Sequence, residues 1–351
     1  MWILLIPAIV MAVLAIGQLL LLAGGVLLRR KKRMAGGVCM FVAWPMLAVF
    51  YAMNQQSQTL AFHPFAATPG AEKADSSVLR VMTYNVWNEG QYMGPHKEDC
   101  APELIASVMD VHADVVMLCE LHYSNNPQTI DSLRRIYPYC SLDLLNNAGD
   151  VSGQVFSRYP ISNARQHFYE DTAGVHTSSA TWMVEIDAPQ GKINFLSVHL
   201  KTNGIQAIRD SIPRDSLFTE TTLRKFMEST SRAYKCRALE AAALRDSIDR
   251  MDGPVIAVGD YNDLSGSAAL HVIQYGTLLP PLGVNSRGRL LADAWWEGGF
   301  GLGLTYYMHH LHLRLDHILY SRCDFELLGV KVLDDWKYSD HYPLVADFRL
   351  Q

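Results

Sequence analysis

Tyr338-Ser339-Asp340-His341-Tyr342-Pro343 places a carboxylate directly before a histidine, just ahead of the last apolar run of the chain, residues 343–350. An acid there is suited to hold a metal ion, and a histidine to hold or move a proton on a phosphate. Three polar residues in a loop are a weak signal alone. The signal gains weight upstream, where other apolar runs also carry an acid, an amide or a histidine near an end.

Working outward from that stretch, Leu79–Tyr84 alternates and ends at Asn85. Val115–Cys119 is continuously apolar, the pattern of a strand buried on both faces, and ends at Glu120. Residues 154–157 read as a strand followed by a turn. Residues 180–187 and 192–198, joined by Pro189-Gln190-Gly191, lead to His199. Pro254–Val258 runs into Gly259-Asp260-Tyr261-Asn262, and Leu313–Tyr320 carries Asp316. Residues 326–333 and 343–350 complete the strands. Helical spacing covers 101–112, 128–136 and 230–251, whereas 203–229 reads as a polar excursion and 276–304 as a long loop. A layered α/β protein gathers such strand ends on one rim. Carboxylates and amides on that rim suit Mg²⁺, or Mn²⁺, rather than zinc. No glycine-rich phosphate loop and no Gly-x-Ser-x-Gly elbow is present.

The chain has 351 residues, 49% of them hydrophobic, enough for one large domain or two medium ones. Its six cysteines show no paired short spacing, so no zinc knuckle or redox motif is legible. Residues 1–28 and 34–53 are two uncharged, mainly apolar runs, each long enough to cross a hydrocarbon core about 30 Å thick. They flank Arg29-Arg30-Lys31-Lys32-Arg33, and no basic region precedes the first run, so a membrane hairpin fits better than a cleaved signal peptide. The basic turn stays cytoplasmic, which puts the body of the protein on the extracytoplasmic side of an inner or plasma membrane. Residues 54–78 read as a linker, and 79–351 as the catalytic domain. Residues 54–351 carry 25 basic residues against 35 acids, a net charge of −10. That disfavours duplex DNA, which is held largely through lysine and arginine.

The ordered set Thr83-Tyr84-Asn85-Val86, Leu118-Cys119-Glu120, Ser157-Arg158-Tyr159-Pro160-Ile161, Ser197-Val198-His199-Leu200, Gly259-Asp260-Tyr261-Asn262, Arg314-Leu315-Asp316-His317-Ile318 and Ser339-Asp340-His341 resembles the endonuclease/exonuclease/phosphatase family, the DNase-like metallophosphoesterases. The resemblance spans about residues 79–350 and leaves out the membrane hairpin. It implies a four-layered α/β sandwich of two mostly antiparallel sheets flanked by helices, here preceded by two transmembrane helices. It also implies roles. Glu120 would be the main metal ligand, with Asn85 beside the metal and Asp340 completing its shell. Asp316 would orient His341 and keep it charged. Asp260 would orient or deprotonate the attacking water, or protonate the leaving oxygen. Asn262 and His199 would donate hydrogen bonds to the phosphoryl group. Asp316 is followed by His317 where the family usually has an aromatic, a departure that bears on packing more than on chemistry.

Other polar residues read differently. His176, His309, His310, His312 and His317 match no catalytic position, although His176 lies in a polar loop within plausible reach of the site. Arg158 fits a fold-stabilising role better than a substrate contact, and Asp263 and Asn88 are neighbours of motif residues. The function expected is a membrane-anchored, metal-dependent phosphoesterase that uses in-line attack by water on a phosphodiester or phosphomonoester. A small molecule or lipid headgroup is the favoured substrate. An extracytoplasmic nuclease is the alternative within the class. A catalytically dead, membrane-tethered binding protein is the alternative outside it, and the intact polar set argues against that.

Overall fold

The computed structural model describes residues 61–62, 77–87, 101–122, 126–144, 153–170, 176–204, 219–276, 290–308, 311–336 and 338–351. The two apolar runs at 1–28 and 34–53 lie outside them. Among the described residues no helix is long and apolar enough to cross a membrane.

Two six-stranded sheets form the body. The first contains β2 (Val78–Asn85), β3 (Val115–Cys119), β4 (Tyr139–Cys140), β5 (Gln154–Ser157), β15 (Phe325–Val332) and β16 (Leu344–Leu350), in the order β15-β16-β2-β3-β5-β4. The second contains β6 (Ile161–Glu170), β7 (His176–Ala188), β8 (Gly191–His199), β9 (Val255–Asp260), β10 (Leu291–Asp293) and β14 (Asp316–Ser321), in the order β10-β14-β9-β8-β7-β6. Each sheet has one parallel pair, β2 with β3 and β8 with β9, and is otherwise antiparallel. A parallel pair needs a crossover, and helices supply both. α1 (Ala101–Asp110) links β2 to β3, and α3 (Glu220–Asp249) links β8 to β9.

Side-chain alternation builds the layers. Val81, Val115, Met117, Ile256, Val258, Ile318 and Phe348 point between the sheets into a common core. The alternate residues Met82, Tyr84, Val116 and Leu118 face α1 and α2 (Pro127–Ile136). Leu196, Val198, Val255 and Ala257 face α3 and α4 (Ala268–Tyr275). Strands covered on both faces explain the unbroken apolar runs. The outcome is helix, sheet, sheet, helix: an α/β sandwich of two mixed sheets.

Several boundaries differ from the sequence reading. Residues 220–229, read as part of the excursion, are the first turns of α3, with Thr219 capping the helix through its hydroxyl to Thr222 N. The stretch 276–304 contains β10, the short α5 (Ala294–Gly298) and β11 (Phe300–Gly301). The edge strand β6 was not legible, because most of its residues are polar and partly exposed. Within the stretch read as a linker, β1 (Ala61–Phe62) pairs antiparallel with β11. β12 (Tyr306–Met308) pairs antiparallel with β13 (Leu311–Leu313) just before β14. Arg158 donates from Nε to Ala113 O at 3.0 Å, the fold-stabilising role expected of it.

Candidate active site

The two parallel pairs bring four site residues to neighbouring strand ends. In register, Asn85 lies beside Cys119, with Glu120 next, and His199 lies directly opposite Asp260. Asp260 is also opposite Asp316 across the antiparallel β9–β14 pair. Adjacent strands thus deliver Asn85, Glu120, His199, Asp260 and Asp316 to one rim.

The backbone aims them. Glu120 turns off β3 with φ 57°, and Asn262 leaves β9 with φ 51°, left-handed conformations that cost more for the glutamate than for the asparagine. Asn262 is braced there. Its N–H donates to Asp260 Oδ1 at 2.8 Å, and its Nδ2 donates to Asp260 Oδ2 and to Leu200 O, each at 3.1 Å. Asn85 Nδ2 bridges the two acids, donating to Glu120 Oε1 at 3.0 Å and Asp260 Oδ2 at 3.1 Å, while its Oδ1 accepts from Trp87 N at 3.0 Å. Asn85 therefore presents its amide nitrogen to the acids, and a ligand role for its oxygen needs the opposite amide orientation.

His199 Nε2 lies 3.6 Å from Glu120 Oε1. One ligand atom each from Glu120, His199 and Asp260 falls within a mutual 4.8 Å, close enough to share one cation. Asp340 sits near Glu120 on the same rim. Burial pushes its carboxyl up; His341 pulls it back and the Glu120 charge adds to the rise, leaving it at about 6. Two neighbouring carboxyl groups beside an imidazole are a donor set that a hard divalent cation fits.

The opposite wall is Asp316–His341. Their Oδ2 and Nδ1 are 2.6 Å apart, and both residues are buried. Burial alone depresses the histidine, but the Asp316 carboxylate outweighs it, with Asp260 and Asp340 behind, and holds His341 at about 10. His341 is thus an imidazolium at neutral pH. Its Nε2 reaches to 3.9 Å from Asp260 Oδ2, an ion-pair distance rather than a hydrogen bond. The fully buried Asp260 carboxyl is itself pushed up by burial, against the pull of His341.

The structure also shows what holds the terminal Ser-Asp-His in place, which the sequence reading missed. Thr305 Oγ1 accepts from Leu315 N and Asp316 N, and its carbonyl accepts from Tyr342 N at 2.6 Å. Tyr307 donates from N to Asp340 O and from its hydroxyl to Ser339 O. The Tyr306 ring packs edge-on to His341, centroids 5.0 Å apart. The only signal in the sequence was an aromatic pair following a glycine-rich loop. His317 points away from the site, and its Nδ1 meets Asp293 Oδ2 at 2.8 Å. It takes the place of an aromatic as a buried partner for an acid that also caps α5. Asp263 accepts from Arg237 Nε at 3.1 Å, and the side chains of His176 and Asn88 lie outside the described residues.

A family model described as Endonuclease/Exonuclease/phosphatase family matches residues 82–341. No curated protein sequence matches. Among solved structures, an endonuclease/exonuclease/phosphatase from Bacteroides vulgatus superposes with TM-score 0.54 at 14% identity, covering 78% of this chain and 99% of that one. ANGEL2, a 2',3'-cyclic phosphatase in complex with adenosine-2',3'-vanadate, gives 0.53 at 16% identity over 78% and 96%. The human Nocturnin catalytic domain with bound sulfate gives 0.51 at 16% over 78% and 95%. These likenesses show a shared fold, and the family model supplies the membership: this chain belongs to the endonuclease/exonuclease/phosphatase family.

Proposed function

We propose that the chain is a divalent-metal-dependent phosphoesterase, anchored to a membrane by residues 1–53, that hydrolyses a phosphodiester or phosphomonoester outside the cytoplasm. The observation that carries the reading is the rim on which Glu120, His199 and Asp260 converge beside the Asp316–His341 pair. Bound there, Mg²⁺ (Mn²⁺ as second candidate) would supply charge neutralisation at the phosphoryl oxygens. Glu120, with Asp340 next to it, would hold the ion, and Asn85 fixes the Glu120 carboxylate through its amide. The chain's own groups do the rest. Imidazolium His341 and His199 donate to the phosphoryl oxygens, where charge grows in the transition state, while Asn262, whose amide protons go to Asp260 Oδ2 and Leu200 O, fixes the Asp260 carboxylate instead. Asp260, buried and with its carboxyl pushed up, is placed to orient a water molecule and take its proton.

The anchor rests on the two apolar runs and their basic turn. The acidic body favours a small or lipid-linked ester over duplex DNA. A second reading, a nuclease acting on nucleic acid, is favoured by Arg224, Arg232 and Lys235, three cations that line one cavity on α3. The test is hydrolysis by the full-length chain in detergent, with Mg²⁺ or EDTA. Substrates are bis-p-nitrophenyl phosphate, p-nitrophenyl phosphate, single-stranded and plasmid DNA, and phospholipid. Release from at least one in Mg²⁺ and none in EDTA is expected; no release from any of them sinks the enzyme reading.

A further inference from the structure

The helix α3 grips the two chain segments that leave the rim. β8 ends at His199 and β9 at Asp260, and other bonds take over where the ladder stops. Leu200 N donates to Asp260 O at 3.1 Å, and Leu200 O accepts from Asn262 Nδ2 at 3.1 Å. The next residue, Lys201, is held by α3 at both of its backbone groups. Its N–H donates to Glu240 Oε2 at 2.8 Å, and its carbonyl accepts from Arg237 Nη1 at 2.7 Å. Arg237 and Glu240 stand three apart on the helix, so both side chains reach the same stretch of backbone.

Arg237 also spans to the second segment. Its Nε donates to Asp263 Oδ2 at 3.1 Å, and its Nη1 donates to Asn203 Oδ1 at 3.1 Å as well as to Lys201. Arg237, Glu240 and Asp263 are all buried, so these charge-assisted bonds form where little water competes. Together the bonds close a ring: Lys201 to Arg237, Arg237 to Asp263, along the chain to Asn262, and from Asn262 back to Leu200. Asn262 is the residue that holds the Asp260 carboxylate from a left-handed backbone conformation. Such a conformation persists where its surroundings over-determine it, and the ring supplies that constraint.

We infer that Arg237, seconded by Glu240, is a positioning residue of the active site. It fixes His199 and the Asp260–Asn262 turn at the separation the reaction needs and, being fully buried, does not touch substrate. The inference rests on the phosphoesterase reading above. A guanidinium suits the task because its planar fork serves Lys201 O, Asn203 Oδ1 and Asp263 Oδ2 at once. An ammonium is a point charge without that fixed set of directions. A buried ion pair alone is weak evidence for stability, and what sets this one apart is its place one and two residues beyond the reacting groups.

The experiment compares the full-length wild type with Arg237→Lys, Glu240→Gln and Arg80→Lys. Urea unfolding gives the folded fraction, hydrolysis of bis-p-nitrophenyl phosphate in Mg²⁺ gives kcat and KM per folded chain, and the EPR signal of free Mn²⁺ gives cation affinity without turnover. Arg237→Lys is expected to lower kcat by about thirtyfold or more, with KM within about threefold. It should also weaken Mn²⁺ binding by about threefold or more, since His199 and Asp260 are two of the three groups that converge there. Glu240→Gln keeps an acceptor for Lys201 N and should leave kcat and Mn²⁺ affinity within about threefold. Arg80→Lys breaks a buried fork on the other sheet, and should cost stability while leaving kcat and Mn²⁺ affinity within about twofold. Wild-type kcat and Mn²⁺ affinity in folded Arg237→Lys overturn the proposal, and so does an equal loss of kcat in Arg80→Lys. Should Arg237→Lys not fold, Glu240→Leu, which removes the other half of the grip on Lys201, is held to the same criteria. A wild-type chain that binds Mn²⁺ but hydrolyses no ester counts against the phosphoesterase reading, and the Mn²⁺ affinities then decide the role of Arg237. Neither binding nor hydrolysis in wild type overturns both.

Discussion

At the scale of single residues, the site is a contest between burial and charge. His341 is held protonated by Asp316 against burial, with its pKa raised to about 10 from an ordinary value of about 6.5. A group whose pKa rises on folding stabilises the folded state below its unfolded pKa, and loses that contribution as pH climbs to the folded value. Metal-free protein is therefore expected to lose thermal stability between about pH 6.5 and 10 more steeply than His341→Gln does. Parallel melting curves for the two would show that Asp316 does not hold the charge. These residues were legible because each polar side chain stands at the end of an apolar run. Asn85, Glu120, His199 and Asp260 needed only the strand ends to be right. The orientation of Asn85, whose nitrogen rather than oxygen meets the acids, was not legible, since it depends on Trp87 N taking the oxygen. Nor was Tyr306, because aromatic packing on His341 is a contact across a fold and leaves no local pattern.

At the scale of elements, the β8–β9 pair sets the distance between His199 and Asp260, and Gly259 permits its closeness. With φ 144°, a Cβ there would lie 1.9 Å from Val198 O and 2.5 Å from Met117 Cε. Backbone cannot yield as a methionine tip can. Gly259→Ala is expected to push β9 from β8 and lower turnover by about a hundredfold, if the chain folds at all. Wild-type turnover in a folded variant would contradict that. On the other sheet Arg80 is clamped by Asp347 through Nε at 2.7 Å and Nη2 at 2.8 Å, both residues buried. Asp347→Ala removes the bidentate partner of that guanidinium and leaves the Asp114 charge as its remaining carboxylate influence, and urea unfolding is expected to show a loss of about 3–5 kcal/mol; a loss below about 1 kcal/mol would place the clamp among weak surface pairs. Element type was legible where strands are covered on both faces, as in Val115–Cys119 and Gln154–Ser157. It failed at β6, whose partly exposed polar residues carry little apolar signal, and at the start of α3, whose first turns are polar on their exposed side.

At the scale of the whole molecule, the site closes only when the last segment docks. β16 pairs with β2 and β15, and the Ser-Asp-His loop before it hangs on Thr305 and Tyr307. Truncation after Tyr338 removes Asp340, His341 and a central strand of the first sheet, so neither activity nor a cooperative melt is expected to survive. Partial activity would mean that the rim assembles without them. The layering of the sandwich was implied by the family resemblance, but the order of strands in each sheet was not legible, because pairing between β16 and β2 joins the two ends of the domain. The proposed membrane hairpin is tested by a reporter fused at the C-terminus, which should read extracytoplasmic; a cytoplasmic reading would reverse the topology. The central claim, a metal held by Glu120 that drives phosphoester hydrolysis with His341, is tested most directly by turnover of the full-length chain across a Mg²⁺ titration after EDTA treatment. Saturable rescue by Mg²⁺ is expected in wild type, with a loss of about a thousandfold or more in Glu120→Ala and in His341→Ala. Turnover that persists in EDTA, or survives both substitutions, would contradict it.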